Sequence, residues 1–254
     1  MRWPDPSLRG GAALILLVMA AAAPPLSAQP PAACRAPTPF PVPRPVPVPR
    51  GEAVPRSSDG GYVLALSWSP QYCATTRDPL NAQNRDQCAA TALKPGSGAG
   101  RSGYGWVMHG LWPQAAKGTH PRWCRVAKIV PKPVLQQNFC ITPSAQLMQY
   151  QWAKHGTCMS ANPASYFHAA ARLYRQLKFP DMATLAQKPQ NSATIRRAFA
   201  RANGHRDAGF FAVSTDRQGW LREVRLCLDQ RMQPKLCSAA QQGYLGARPI
   251  LIRR

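Results

Sequence analysis

The sequence predicts an α+β domain in which helices pack on a central antiparallel sheet and disulfides staple the whole. Three observations carry this. Strand-like runs open and close the folded part and helix-like runs fill its middle, the order of segregated layers rather than of repeating βα units. Eight cysteines occur without a C-x-x-C pair, behind a segment with the form of an export signal, so disulfides are the default over zinc or a redox motif. The 254 residues give room for one large domain or two small ones.

Residues 1–28 read as a secretory signal peptide. Arg2 and Arg9 supply positive charge, Ala12 to Ala23 is apolar, and Ser27-Ala28 offers a small-residue cleavage site. The apolar run is too short to span a membrane, and no later segment is long and apolar enough. The mature protein is therefore expected in the periplasm or outside the cell. A lipid-modified Cys34 is disfavoured, because Pro31-Ala32-Ala33 lacks the leucine such sites carry.

Residues 29–60 read as a proline-rich basic tether. Pro41, Pro43, Pro45, Pro47 and Pro49 alternate with valine and arginine, which forbids helix ladders and favours extended polyproline II. The segment is expected to lie ahead of the folded domain as a stiff spacer.

The domain is expected over 61–254. Tyr62 to Trp68 is apolar and reads as a buried strand, residues 94–103 as a Gly/Ser/Pro loop, and Tyr104 to His109 as a second strand ending at His109. Thr142-Pro143-Ser144 opens a helix from Ala145 to His155. Asn162 before Pro163 opens another to about Leu177, with Tyr166, Ala169, Ala170, Leu173 and Leu177 at helical spacing. A third runs from about Ser192 to Ala202 and stops at Asn203-Gly204. Phe210 to Ser214, Leu221 to Leu228 and Pro249 to Ile252 read as late strands.

Formal net charge is +22, spread along the whole chain. So large an excess draws polyanions; RNA, DNA and anionic membranes all qualify, and charge alone does not choose among them.

Two segments about forty residues apart narrow the choice: Met108-His109-Gly110-Leu111-Trp112-Pro113, and Tyr150-Gln151-Trp152-Ala153-Lys154-His155-Gly156-Thr157-Cys158. RNA carries its own nucleophile, the ribose 2′-hydroxyl. Its cleavage needs a base for that proton, an acid for the departing 5′-oxygen, and positive charge near the pentacoordinate phosphorus. Histidine suits both proton roles because its unperturbed pKa lies near neutrality. Lysine supplies the charge, and neither metal nor cofactor is required. On a regular helix Gln151 and His155, four apart, share a face beside Lys154 and Tyr150. The partial negative charge of the helix C-terminus would then favour a protonated His155.

The two segments resemble the active-site segments of the ribonuclease T2 family of secreted, acid-tolerant endoribonucleases. His-Gly-Leu-Trp-Pro at 109–113 matches the family's first motif without change, and Lys154 to Cys158 matches the Lys-His-Gly-x-Cys end of its second. The resemblance extends over roughly residues 61–252, through the first strand with Cys73 and the late run Glu223 to Asp229. It implies His155 as base, His109 as acid, Lys154 as transition-state cation, Gln151 as the fourth catalytic position, and Trp112, Tyr150 and Gln114 as substrate-binding groups. Single-stranded RNA would be the partner, cleaved through a 2′,3′-cyclic phosphate to a 3′-phosphate.

Three positions depart from the family pattern. Gln151 stands where the family has a glutamate, keeping shape and hydrogen bonding but losing a charge that would raise a neighbouring histidine's basicity. Tyr150 stands where many members have histidine. Gln114 stands where some have a base-reading aspartate. The resemblance also implies disulfides Cys73–Cys88, Cys124–Cys158 and Cys227–Cys237. Cys34 and Cys140 remain, and a bond between them would fasten the tether to the domain.

Lone histidines are usually structural or solvent-exposed, so His120, His168 and His205 are set aside. Trp68, Trp106 and Trp152 are read as core. Two alternatives stand beside the enzyme: a catalytically weak RNA-binding relative of the same fold, and a cell-envelope adhesion module built on charge and tether. The second leaves both motifs as accident. Nothing in the sequence fixes an oligomeric state.

Overall fold

β1 (Gly61–Trp68) forms where apolar residues with few charges allow a strand covered on both faces. It pairs antiparallel with β2 (Trp106–Gln114) on one side and β4 (Leu221–Leu228) on the other, and β3 (Phe211–Thr215) closes the order β2-β1-β4-β3. The computed structural model describes residues 34–55, 57–78, 85–88, 104–242, 246 and 248–254. The signal segment 1–28 and the loop read over 94–103 lie outside the described residues.

Nine α-helical segments are described. α1 (Ser69–Thr75), α2 (Arg85–Cys88) and α3 (Lys132–Asn138) precede α4 (Ala145–Gln151), which passes through a π-helical turn (Trp152–Gly156) into α5 (Thr157–Met159). α6 (Pro163–Gln176), α7 (Met182–Leu185), α8 (Ser192–Ala202) and α9 (Ala239–Gln242) follow. The architecture is α+β, with four disulfides: Cys34–Cys140, Cys73–Cys88, Cys124–Cys158 and Cys227–Cys237. The helix starts follow capping chemistry: Ser144 accepts from the Leu147 N–H at 3.2 Å and Asn162 from the Ala164 N–H at 2.8 Å.

The two faces of the sheet differ. Leu64, Leu66 and Trp68 of β1, with Trp106, Met108 and Leu111 of β2 and Val224, Leu226 and Leu228 of β4, pack into one large core under the helices. The opposite face carries Val63 with Ala212, Cys227, Cys237 and, partly buried, Trp112. Period-2 alternation sends Ala65 and Ser67 to that second face. Both are short, which leaves room above β1 for longer side chains arriving from its neighbours.

β2 is pinned on both sides of His109. The Met108 N–H donates to Ile141 O at 2.7 Å, and Thr142 Oγ1 donates to Met108 O at 2.8 Å. Tyr166 of α6 brackets Leu111, accepting from its N–H at 3.3 Å and donating to its carbonyl at 3.1 Å.

Three sequence expectations are corrected. The proline-rich segment does not stand ahead of the domain. Cys34 is bonded to Cys140, Phe40 is buried against Phe139 with ring centroids 5.5 Å apart, and the Arg44 N–H donates to Gln146 Oε1 at 2.7 Å. Further along it, Glu52 pairs with Arg122 at 2.9 Å and Val54 bridges to the same arginine's backbone. An alternation of proline and valine says what local shape is allowed, not what surface will receive it. Next, the second strand does not end at His109 but runs five residues past it to Gln114. Last, residues 249–252 make only isolated bridges, Gln190 to Ile250 and Trp220 to Leu251, rather than a strand of the sheet.

Candidate active site

Both histidine segments sit where regular structure is interrupted by one extra residue. On β2, Gly110 faces Ala65 and Met108 faces Leu66, so His109 between them has no partner on β1. This β-bulge decides where the ring goes. Strict alternation from Trp112 and Gly110, on the open face, would point His109 into the core. The bulge lets it share the open face with them while Met108 stays buried.

The second segment contains the π-turn. The Thr157 N–H donates to Trp152 O, five residues back rather than four. The Lys154 carbonyl accepts the N–H of Trp123 at 2.7 Å, and Cys124–Cys158 ties the same loop to the helix. The helical path runs on through Met159, so His155 is not at its C-terminal end as a regular helix to His155 implied.

Trp112 lies between the two histidines. Its ring centroid is 5.2 Å from that of His109, nearly perpendicular, and 5.6 Å from that of His155, tilted by 32°. Its indole N–H donates to Gln151 Oε1 at 2.9 Å. Arg225 of β4 lies over the same ring at 5.3 Å. The neighbouring glycines have no room for a side chain. A Cβ on Gly110 would run into the Gln151 amide, and one on Gly156 into the Trp152 ring.

The histidines sit in opposite surroundings. His109 Nδ1 is 2.6 Å from Glu223 Oε1, and the other carboxylate oxygen accepts from the Arg225 guanidinium at 2.8 and 3.2 Å. Glu223 is buried, which pushes its pKa up. The hydrogen bond and charge of His109 and the charge of Arg225 outweigh that and hold it down at about 2, so the carboxylate is ionised. His155 has its Nδ1 buried without a partner among the described residues. Burial first, then the positive charges of Lys154, His109 and Arg122, push its pKa down to about 3. The expected dipole support for a protonated His155 is therefore not what the fold supplies; the ring is held neutral.

Lys154 Nζ donates to Tyr150 Oη at 3.3 Å and lies 5.5 Å from that ring's centroid. A cavity of about 330 Å³ beside His109 is lined by Tyr150, Tyr72, Gln71, Ser67, Arg222 and Glu223, among others. His109, Trp112, Tyr150, Gln151, Lys154 and His155 thus come together. Gln114 does not join them. It is buried, its amide donating to Pro113 O at 3.0 Å and accepting from Gln241, so it is no exposed reader of a base. His168 is exposed on α6, His120 accepts from the Ala115 N–H at 3.1 Å, and His205 packs edge-on against Phe210.

The residue missed from sequence is Glu223. A signal for it existed. Val224, Leu226 and Leu228 face the core, so Glu223, Arg225 and Cys227 must share the other face, and a carboxylate inside a strand seldom stays buried without a partner. What the sequence lacked was the bulge that aims His109 at it.

A family model described as the Ribonuclease T2 family matches residues 60–237. A probable ribonuclease of Haemophilus influenzae is 30% identical over 192 residues, covering 70% of this chain and 61% of that protein, so the match spans about three-fifths of that relative's length. A ribonuclease of Aeromonas hydrophila is 30% identical over 181 residues, covering 66% of this chain and 71% of that protein. Among solved structures, trichomaglin, described as an S-like ribonuclease, superposes with a TM-score of 0.55 at 21% identity, covering 75% of this chain and 95% of its own; that likeness is one of fold. Across most of its described length, and at both histidine segments, this chain belongs to the ribonuclease T2 family.

Proposed function

We propose that the protein is an exported, metal-independent endoribonuclease that cleaves single-stranded RNA by transphosphorylation. The observation that carries this reading is the pair of histidines on either side of Trp112, one bonded to a carboxylate and the other held neutral. Groups whose environments push their protonation apart are the ones that divide acid from base work.

His155 is then the base. Its Nδ1 is buried, so Nε2 is the nitrogen that takes the 2′-hydroxyl proton. The O2′–P bond forms and the P–O5′ bond breaks. His109, whose Nδ1 is engaged by Glu223, gives the proton on Nε2 to the departing O5′. The product is a 2′,3′-cyclic phosphate, which water opens in a slower second step to a 3′-phosphate with the proton roles reversed. Lys154 places a positive charge near the transferring phosphoryl group, and Trp112 and Tyr150 offer ring faces to the substrate. The spread of positive charge brings the polyanion in.

Gln151 supports a second reading, a catalytically weak relative that binds RNA. It leaves the pocket without the carboxylate that the family places there, and that attenuates the base. One assay separates the readings: purified protein on single-stranded RNA from pH 4 to 8 with EDTA present, products resolved for 2′,3′-cyclic ends. Cyclic phosphate formed in EDTA supports the enzyme. Binding without cleavage at any pH supports the weak relative, and cleavage only with added metal overturns the mechanism.

A further inference from the structure

We infer that Glu223 of β4 is a positioning residue for the acid step: it fixes His109 with Nδ1–H toward the sheet and Nε2 toward the cleft. This deepens the endoribonuclease reading and rests on it.

The geometry carries the inference. Glu223 reaches His109 from two strands away, across β1, because Ser67, its partner on β1, is short. Its second oxygen is taken by Arg225, which lies over Trp112. The carboxylate therefore has one oxygen for the histidine and one for the arginine. A buried carboxylate against Nδ1 selects the tautomer that leaves Nε2 as the outward nitrogen. Other charged or titratable groups face His109 from each packed element: Arg222 and Arg225 on β4, Tyr150 and His155 on the helical segment, and Tyr72 on α1. The carboxylate missing at position 151 of α4 is thus matched by one on β4, serving the other histidine.

The test uses Glu223→Gln on the whole protein, with two substrates. On a dinucleotide with an ordinary 5′-oxygen leaving group, kcat/KM falls about 10- to 100-fold. On the same dinucleotide with a bridging 5′-sulfur, whose thiolate departs without a proton, the variant matches the parent within about threefold. Glu223→Asp restores part of the oxygen-substrate rate. An equal loss on both substrates overturns the inference. Parent protein that cleaves neither substrate overturns the endoribonuclease reading instead. If the glutamine variant does not fold, ring 15N shifts of His109 in the parent protein decide. A neutral ring protonated on Nδ1 at high pH supports the assignment, and one protonated on Nε2 overturns it.

Discussion

The strand that carries His109 and the helix that carries His155 make an instructive pair. Each holds one extra residue, a bulge in one and a π-turn in the other, and each uses it to aim a histidine at the same tryptophan. Their electrostatics are opposed. The strand histidine meets an ionised carboxylate two strands away; the helix histidine meets burial and positive charge. Two identical side chains thereby sit in opposite surroundings, and the difference lies in what the fold brings up behind each ring.

The strongest way to break this comparison is to remove each ring in turn. His109→Ala and His155→Ala each lower kcat/KM on RNA by about 10²- to 10⁴-fold. With a 5′-sulfur leaving group His109→Ala regains most of its loss and His155→Ala regains none; the reverse pattern exchanges their roles. Lys154→Met costs about 10²- to 10³-fold on both substrates, because it acts on phosphoryl charge rather than on either proton.

A gentler change sharpens the contrast. Gln151→Glu keeps an acceptor for the Trp112 indole and adds a negative charge on the base side of the cleft. Its expected effect is a several-fold rise in kcat/KM, and an acidic limb displaced upward as His155 gains affinity for its proton. An unchanged profile means that position 151 does not govern the base.

Stability reports the same asymmetry. His155 is held below its unfolded value of 6.5 to about 3, so the unfolded chain binds the extra proton across that window. Glu223 is held below 4.5 to about 2, with the same sign. The contribution of these two groups to folding stability is therefore fully present above pH 6.5 and declines as pH falls, first through His155 and then, below pH 4.5, through Glu223 as well. In denaturant titrations from pH 7 to 3, His155→Gln flattens the part of this slope between 6.5 and 3, and Glu223→Gln flattens only the lower part.

Releasing the N-terminal arm gives the smallest effect on rate. Cys34–Cys140 closes a loop across 106 residues of sequence, for which chain entropy gives on the order of 4–5 kcal/mol. Replacing both cysteines with serine lowers the thermal midpoint and moves kcat/KM by less than about threefold, because the arm touches α4 and the 122 loop but neither histidine. His168→Ala, on an exposed face of α6, changes neither quantity.

Much of this was legible in the residues themselves. Local preference and side-chain type determined the first strand, the capped helix starts at Ser144 and Asn162, and the two histidine segments. These depend on residues near in sequence, where alternation, capping and motif spacing act. Tertiary structure alone decided the rest. The bulge turned His109 out of the core, and the π-turn displaced the expected helix end. The proline arm found a surface at Phe139 and Gln146. Glu223 arrived from more than a hundred residues away to serve as His109's partner. Each depends on which strand lies beside which, and on where a short residue such as Ser67 leaves a gap, and neither is written in any one segment. The sequence determined that two histidine segments were present; the packing decided what stands behind each ring.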